Sequence, residues 1–429
     1  MRQRPVHRRD FLRQAGLGTA TAAALSGRLW PAAARAAVDK TEPTKITQID
    51  AVSFRKDIHI GGGSGGDDGA EFMWVRLHTD NGLVGTGETY PFSQGEIGAL
   101  RDYSDSIVGR DARDIDGIWR DFYKDMAMRN AGGADMRILS AINMAQMDIL
   151  GQASGLPLYR LLGGKSRNSV RVYNTTTDYW AINGMKMGVD TMKIVRFLLD
   201  RGVTAIKIYP FEGSRDNYVS SQALENGMKW IREIRDNVGS QMDIAVDCWA
   251  GYDLASAHRI AKALEPHNIL YLEDPMLSSN VEAYAQLARE TSVPICASET
   301  LATRYEFLPF LEQKACDVIM YDATWCGGVS EARKISEMAD TYLIPTSPHT
   351  CGGPLLYFCS IHLCTAIANF LIMESNYWKY THQFPYFVNN VPVPEQGQVK
   401  PSELPGIGVE IKPELFKNGD ATVLTVAKS

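Results

Sequence analysis

A chain of 429 residues, 45% hydrophobic and 22% charged, has the make-up of a soluble globular protein, with length for two domains or one large barrel with an addition. Its net charge of -6, without any long basic block, argues against nucleic acid or an anionic membrane surface as a partner.

In chain order, the first 36 residues read as an export signal and not as part of the fold. Arg8 and Arg9 precede Phe11-Leu12, a mildly apolar Ala/Gly/Leu run, and an A-x-A cleavage pattern at Ala34 and Ala36. The layout resembles a bacterial twin-arginine signal and predicts a periplasmic protein beginning near Ala37, with an amphipathic first helix as the competing reading. No other run is long and apolar enough to span a bilayer, so no membrane contact is expected after export.

Residues 45–90 alternate as β: "ITQIDAVSF", a glycine-rich break "HIGGGSGGDDGAEF", and "MWVRLHTDNGLVGTGETY", whose Asp80-Asn81-Gly82 is a hairpin turn. The break is either a lid or a solvated surface loop. From about 95 to 163 the period turns helical and stops at Gly163-Gly164. Together these predict a first α+β domain over about 45–165, to which a C-terminal tail from about 380 to 429 returns.

From 168 to 378 short strands alternate with helices: "SVRVYNT", "AIKIYPF", "DIAVDCWA", "ILYLEDP", "PICASET", "DVIMYDA", "LIPTSPH" and "FLIMESN". Eight such units predict a parallel sheet closed into a barrel; the rival, an open doubly wound sheet, lacks a G-x-G-x-x-G after its first strand. The seven cysteines lie between Cys248 and Cys364 with no C-x-x-C spacing, and are expected to be small core residues, neither disulfides nor a zinc knuckle.

Chemistry concentrates at the strand ends. Asp247, Glu273 and Glu299 stand 26 positions apart, one strand–helix unit each, so a barrel sets all three carboxylates at similar height around one mouth. Three anions so close need a cation, and an all-oxygen set without His or Cys favours a hard ion, Mg²⁺ first. Three unrelated strand-end acids are the bland alternative. Asp322 and His349 end the next two strands, and an aspartate beside a histidine fixes the imidazole tautomer and raises its basicity, as a general base needs. Glu374 closes the ring as an acid or as a hydrogen-bonding partner for substrate. Across the mouth, Lys207 and Tyr209 are two apart on a strand and share a face with Ala205, while Ile206 and Ile208 turn to the helices. A buried lysine there neutralises an anionic substrate or lowers the pKa of a neighbouring base.

With these residues, and with "SAINMAQMDILGQASGLPLYRLLGG", "YLEDP", "ASET", "CGGVSEARKI" and "SPHT", the chain resembles the enolase superfamily in its mandelate racemase-like branch of acid-sugar enzymes. The resemblance covers nearly everything after the signal. It implies a modified TIM barrel, (β/α)7β, with an N-terminal α+β capping domain; Asp247, Glu273 and Glu299 as Mg²⁺ ligands; and His349 with Asp322 as catalytic dyad. Two departures stand out: many relatives carry Lys-x-Lys where this chain has Lys207-x-Tyr209, and Asn where it has Trp249. The Asp-Cys-Trp run looks like that of some acid-sugar dehydratases.

The function expected is therefore removal of the proton alpha to a carboxylate by His349 or Tyr209 through an enediolate, with loss of the β-hydroxyl to give a 2-keto-3-deoxy acid. A 1,1-proton transfer needs a base on each face, so the missing second lysine favours a dehydratase (a lyase) over a racemase, epimerase or cycloisomerase. A non-catalytic periplasmic sugar-acid binding protein is the alternative of another class. Trp249, Lys56 and His59 are the expected substrate contacts, the last two at its distal end, and the chain is expected to form a homo-oligomer around small-molecule chemistry.

Overall fold

The computed structural model describes residues 42–55, 58, 60, 70–90, 95–128, 132–177, 181–211 and 217–429. The expected export signal over residues 1–36, Lys56, His59 and the glycine run 61–69 lie outside the described residues, and so do the expectations placed on them.

The strands in chain order are β1 (Ile46–Phe54), β2 (Met73–Thr79), β3 (Val84–Thr89), β4 (Val170–Thr175), β5 (Ala205–Ile208), β6 (Asp243–Asp247), β7 (Tyr271–Glu273), β8 (Ile295–Ala297), β9 (Val318–Ile319), β10 (Met373–Ser375), β11 (Gln398–Val399) and β12 (Ala421–Lys428). β12, β1, β2 and β3 form an antiparallel sheet in that order. The β2–β3 turn falls at Asp80-Asn81-Gly82, where Gly82 takes φ 83° and Thr79 N donates to Leu83 O at 3.0 Å.

A helix over Gly133–Ser154 packs on this sheet. Contact is backbone to backbone: a Cβ at Gly87 would lie 1.8 Å from Ala141 O, so only glycine fits. The same helix faces the barrel on its other side, which is why its polar residues Ser140 and Asn143 are buried yet satisfied. Ser140 Oγ accepts from Gly327 N at 2.9 Å, and Asn143 exchanges hydrogen bonds with Ser330. The helix ends at Gly155, in the left-handed region at φ 72°, short of the Gly163-Gly164 stop expected from the sequence. A separate turn over Leu158–Leu161 fills the gap, because Pro157 restarts the chain in extended conformation.

The parallel strands pair in the order β10-β4-β5-β6-β7-β8-β9. Single bridges from Ile319 to Thr346 and from Thr346 to Phe370 continue the path from β9 back towards β10. Helices over Thr191–Leu199, Ser221–Val238, Leu254–Leu264, Val281–Glu290, Thr303–Glu312, Val329–Thr341 and Pro354–Ala366 follow the successive strands. This is a (β/α)7β barrel, a modified TIM barrel, preceded in the chain by an α+β capping unit. The interior is filled by Tyr173, Ala205, Ala245, Tyr271, Cys296, Val318, Met320 and Ile372, while Ile206, Ile208, Ile244 and Val246 pack into the helix layer, as strand alternation requires. Among the described residues no helix is long and apolar enough to cross a membrane.

Candidate active site

Register builds the site. In the parallel ladder Asp247 is paired with Glu273, so their carboxylates emerge side by side at the ends of β6 and β7. Lys207 pairs with Ala245, two residues deeper, and its long side chain rises from below into the carboxylates. Its ammonium lies 2.7 Å from Glu273 Oε1, 3.1 Å from Asp247 Oδ2 and 3.1 Å from Glu374 Oε1, fully buried. Glu299 sits two residues beyond β8 and reaches His349 instead, with Oε2 3.1 Å from Nε2. His349 Nδ1 is 2.7 Å from Asp322 Oδ2, and Asp322 Oδ1 in turn accepts from Thr324 N at 2.6 Å. Trp325 packs against the imidazole with ring centroids 5.3 Å apart. Glu374 Oε2 accepts from Thr350 N at 2.7 Å, and its other oxygen accepts from Thr175 Oγ1.

The structure thus brings Lys207, Asp247, Glu273, Glu299, Asp322, His349 and Glu374 into one buried cluster. Tyr209 lies just past β5 with its ring 5.8 Å from the Lys207 ammonium. Trp249 is at the rim: its backbone N donates to Asp247 Oδ1 at 2.7 Å, its φ of 47° is left-handed, and its residue surface is 64% exposed.

The electrostatics follow from burial and crowding. Burial, then the Asp247 anion, raises Glu273 well above the ordinary carboxyl range. Burial likewise raises Glu299, against the pull of His349. Burial also works against ionisation of Glu374, but Lys207, His349 and the bonds from Thr175 and Thr350 outweigh it and hold this carboxyl at about 2. For His349 burial lowers the proton affinity, and Glu299 and Glu374 more than restore it, lifting the ring well above its usual value. Burial, then Asp247, pushes the Tyr209 phenol far up.

Among the described residues, Asp247, Glu273, Glu299, Asp322 and Glu374 face one permanent cation, Lys207, and a buried excess of anions this large calls for a further positive charge. Glu273 Oε2 is buried with no hydrogen-bond partner, an orphaned lone pair on the oxygen turned away from Lys207. The donor set of Asp247, Glu273 and Glu299 therefore fits a divalent cation. Among the described residues, however, the group whose ligand atoms all lie within 4.8 Å of one another is His349, Cys351 and Glu374. With Lys207 drawn in between Asp247 and Glu273, the oxygen trio is not gathered to that degree.

Two residues that pattern reading missed hold this arrangement from outside. Fully buried Glu88, at the end of the capping hairpin, accepts from Gly353 N at 2.7 Å, Leu355 N at 3.1 Å, Leu356 N at 3.2 Å and Trp74 Nε1 at 3.1 Å. It thereby satisfies the free N–H groups that begin the Pro354–Ala366 helix. Only glycine allows the approach, since a Cβ at Gly353 would lie 2.5 Å from Glu88 Oε2. Burial raises Glu88 to about 7 against those four donors. Glu88→Ala strands buried donors and is expected to cost about 3 kcal/mol or more of stability, read from urea unfolding curves; a loss below ~1 kcal/mol would show that water replaces the carboxylate. The second residue is Cys351, in the loop after His349. The sequence counted it with the core; it is only partly buried, whereas the other six cysteines are buried and all seven are free.

Comparison with known proteins agrees with this geometry. Residues 49–163 match the mandelate racemase / muconate lactonizing enzyme N-terminal domain, and residues 191–415 match the enolase C-terminal domain-like family. A D-galactonate dehydratase of Pectobacterium atrosepticum is 30% identical over 355 residues, 80% of this chain and 90% of that one. A D-xylonate dehydratase of Haloferax volcanii is 28% identical over 355 residues, 80% and 84% of the two chains. Among solved structures, a mandelate racemase-subgroup enolase from Agrobacterium tumefaciens superposes with TM-score 0.79 at 31% identity, covering 90% of this chain and 99% of the other. An enolase superfamily member from Salmonella Typhimurium gives 0.82 at 29%, covering 90% and 100%. Enzymes of this superfamily typically use a divalent metal. The chain belongs to the enolase superfamily, in its mandelate racemase-like dehydratase branch, and is a hydro-lyase.

Proposed function

We propose that the protein is a Mg²⁺-dependent dehydratase of an acid sugar, an aldonate or aldarate. The observation that carries this reading is the opposition, in one buried mouth, of the Asp247/Glu273/Glu299 oxygens and the Asp322–His349 dyad. Similarity to dehydratases of D-galactonate and D-xylonate supports the substrate class. Held by the three carboxylates, the ion supplies the electrophile that makes the proton beside a bound carboxylate acidic enough to remove.

The chain's own residues do the rest. Asp322 accepts a hydrogen bond from Nδ1–H, which keeps the proton on that nitrogen and leaves Nε2 as the basic one, aimed into the site. Glu299 exerts the larger pull on the ring's proton affinity, and it is one of the carboxylates assigned to the ion; once Glu299 is engaged there, His349 is the freer to act as base. Lys207 faces the position of an anionic substrate and offsets the charge that develops on its carboxylate. Glu374, held ionised, is no proton donor; of its two expected roles, hydrogen bonding and orientation fit. Tyr209 is a poor base with its phenol pushed up by burial, and is placed to protonate the departing β-hydroxyl or position it.

A screen of aldonates and aldarates with added Mg²⁺ tests the reading. Formation of a 2-keto-3-deoxy acid from one of them is the expected result, and interconversion of epimers without any keto acid would make the protein an epimerase instead.

We also propose that the protein is exported folded to the periplasm, on the motif at Arg8 and Arg9. Replacing both arginines with lysine is expected to retain the protein in the cytoplasm, seen by cell fractionation, and unimpaired export would point to another route.

A further inference from the structure

We propose that His349, Cys351 and Glu374 form a second, thiophilic metal site, one that takes Zn²⁺ or a similar soft divalent ion and silences the enzyme. A ring nitrogen, the thiol sulfur and a carboxylate oxygen of these residues lie within 4.8 Å of one another, and His349 Nε2 is 3.7 Å from Glu374 Oε2. Tetrahedral zinc with bonds of about 2.0–2.3 Å sets its ligand atoms about 3.3–3.8 Å apart, so closing the site takes side-chain shifts of an ångström or less. Imidazole, thiolate and carboxylate with one open position is a zinc donor set, whereas Mg²⁺ avoids sulfur.

Two further observations show the site is built. His349 has its other nitrogen on Asp322 at 2.7 Å, the carboxylate backing that orients a metal-bound imidazole. The loop bearing Cys351 is pinned on both sides: Thr350 N and Oγ1 donate to Glu374 at 2.7 Å each, Lys379 Nζ donates to the Cys351 and Gly352 carbonyls, and Gly353 N donates to Glu88. On binding, the Cys351 thiol proton passes to solvent and Nε2 gives its lone pair to the ion. The nitrogen assigned to proton abstraction is then occupied. Inhibition follows by a route that Mg²⁺ at the oxygen trio cannot relieve.

The kinetic consequence rests on His349 being the base; the ligation does not, and the test separates them. Mature protein saturated with Mg²⁺ is titrated with Co²⁺ and followed by absorbance. A thiolate-to-cobalt charge-transfer band that saturates near a single equivalent and is erased by Zn²⁺ is expected, as is Zn²⁺ inhibition that excess Mg²⁺ leaves unchanged. Cys351→Ser is expected to lose the band and to bind Zn²⁺ at least ~10-fold more weakly, the lower end of what even a supporting partner is worth at such sites. A band that survives in Cys351→Ser, or inhibition reversed by Mg²⁺, would overturn the proposal. Should that variant fail to fold, anomalous scattering at the zinc edge from wild-type crystals grown with excess Mg²⁺ decides: a peak among the three side chains supports the site, and zinc found only at Asp247, Glu273 and Glu299 or on the surface refutes it. A protein that shows the band but turns over no acid sugar would refute the dehydratase reading and leave this site standing.

Discussion

His349→Asn is expected to abolish both exchange of the substrate's α-proton in deuterated water and dehydration, with turnover down by about 10²–10⁴-fold or more. The imidazole is the group whose second nitrogen is fixed by a carboxylate, Asp322, while Nε2 faces the mouth. Asparagine keeps a polar side chain of similar reach but cannot take up a proton. Tyr209→Phe separates the roles: exchange is expected to persist while turnover slows, because a phenol driven upward by burial and Asp247 is better suited to giving a proton than to taking one. Lys207→Met is expected to damage both steps and to raise KM, since the lysine is the buried cation nearest Asp247, Glu273 and Glu374. Exchange that survives in His349→Asn and vanishes in Tyr209→Phe would exchange the two assignments.

The barrel was legible because strand and helix patterns alternate so regularly, and the even spacing of Asp247 and Glu273 survives as a direct ladder pair. Glu299 kept neither the register nor the partner that spacing implied: Glu273 pairs with Cys296, and Glu299, two residues beyond β8, turns its side chain to His349. The seventh strand, "LIPTSPH", shrinks to the single residue Thr346, bridged to Ile319 on one side and Phe370 on the other, since Pro345 and Pro348 flank it and neither offers an N–H to extend a ladder. Alternation correctly turned Lys207 inward, but its bridging of three carboxylates depends on a register two residues deeper than Asp247, which no local pattern encodes. Glu88 was invisible for another reason. Its partners Gly353, Leu355 and Leu356 lie more than 260 residues along the chain, and a glutamate closing a strand gives no sign of them. Cys351 was misfiled because counting cysteines says nothing about which one follows a catalytic strand end.

Removal of divalent metal is expected to abolish activity, and Glu273→Gln is expected to do the same by disabling the ion's site while leaving the protein folded. Glu273 spends one oxygen on Lys207 at 2.7 Å and leaves the other buried without a partner. Glutamine is close in shape, can keep the Lys207 bond through its carbonyl, and removes a charge that burial and Asp247 both oppose. In the absence of ion the variant is therefore expected to unfold at the same temperature as the wild type or above it. The difference appears on adding Mg²⁺. A ligand at one hundred times its Kd stabilises the folded state by about 2.7 kcal/mol, so wild-type Tm is expected to rise and the variant's to stay put, in step with calorimetric titrations that show binding only for the wild type. An unchanged Mg²⁺ affinity in Glu273→Gln would remove this carboxylate from the metal site. Lower stability without ion would instead show that its anion is compensated within the protein, leaving the unpaired oxygen no reason to meet a cation.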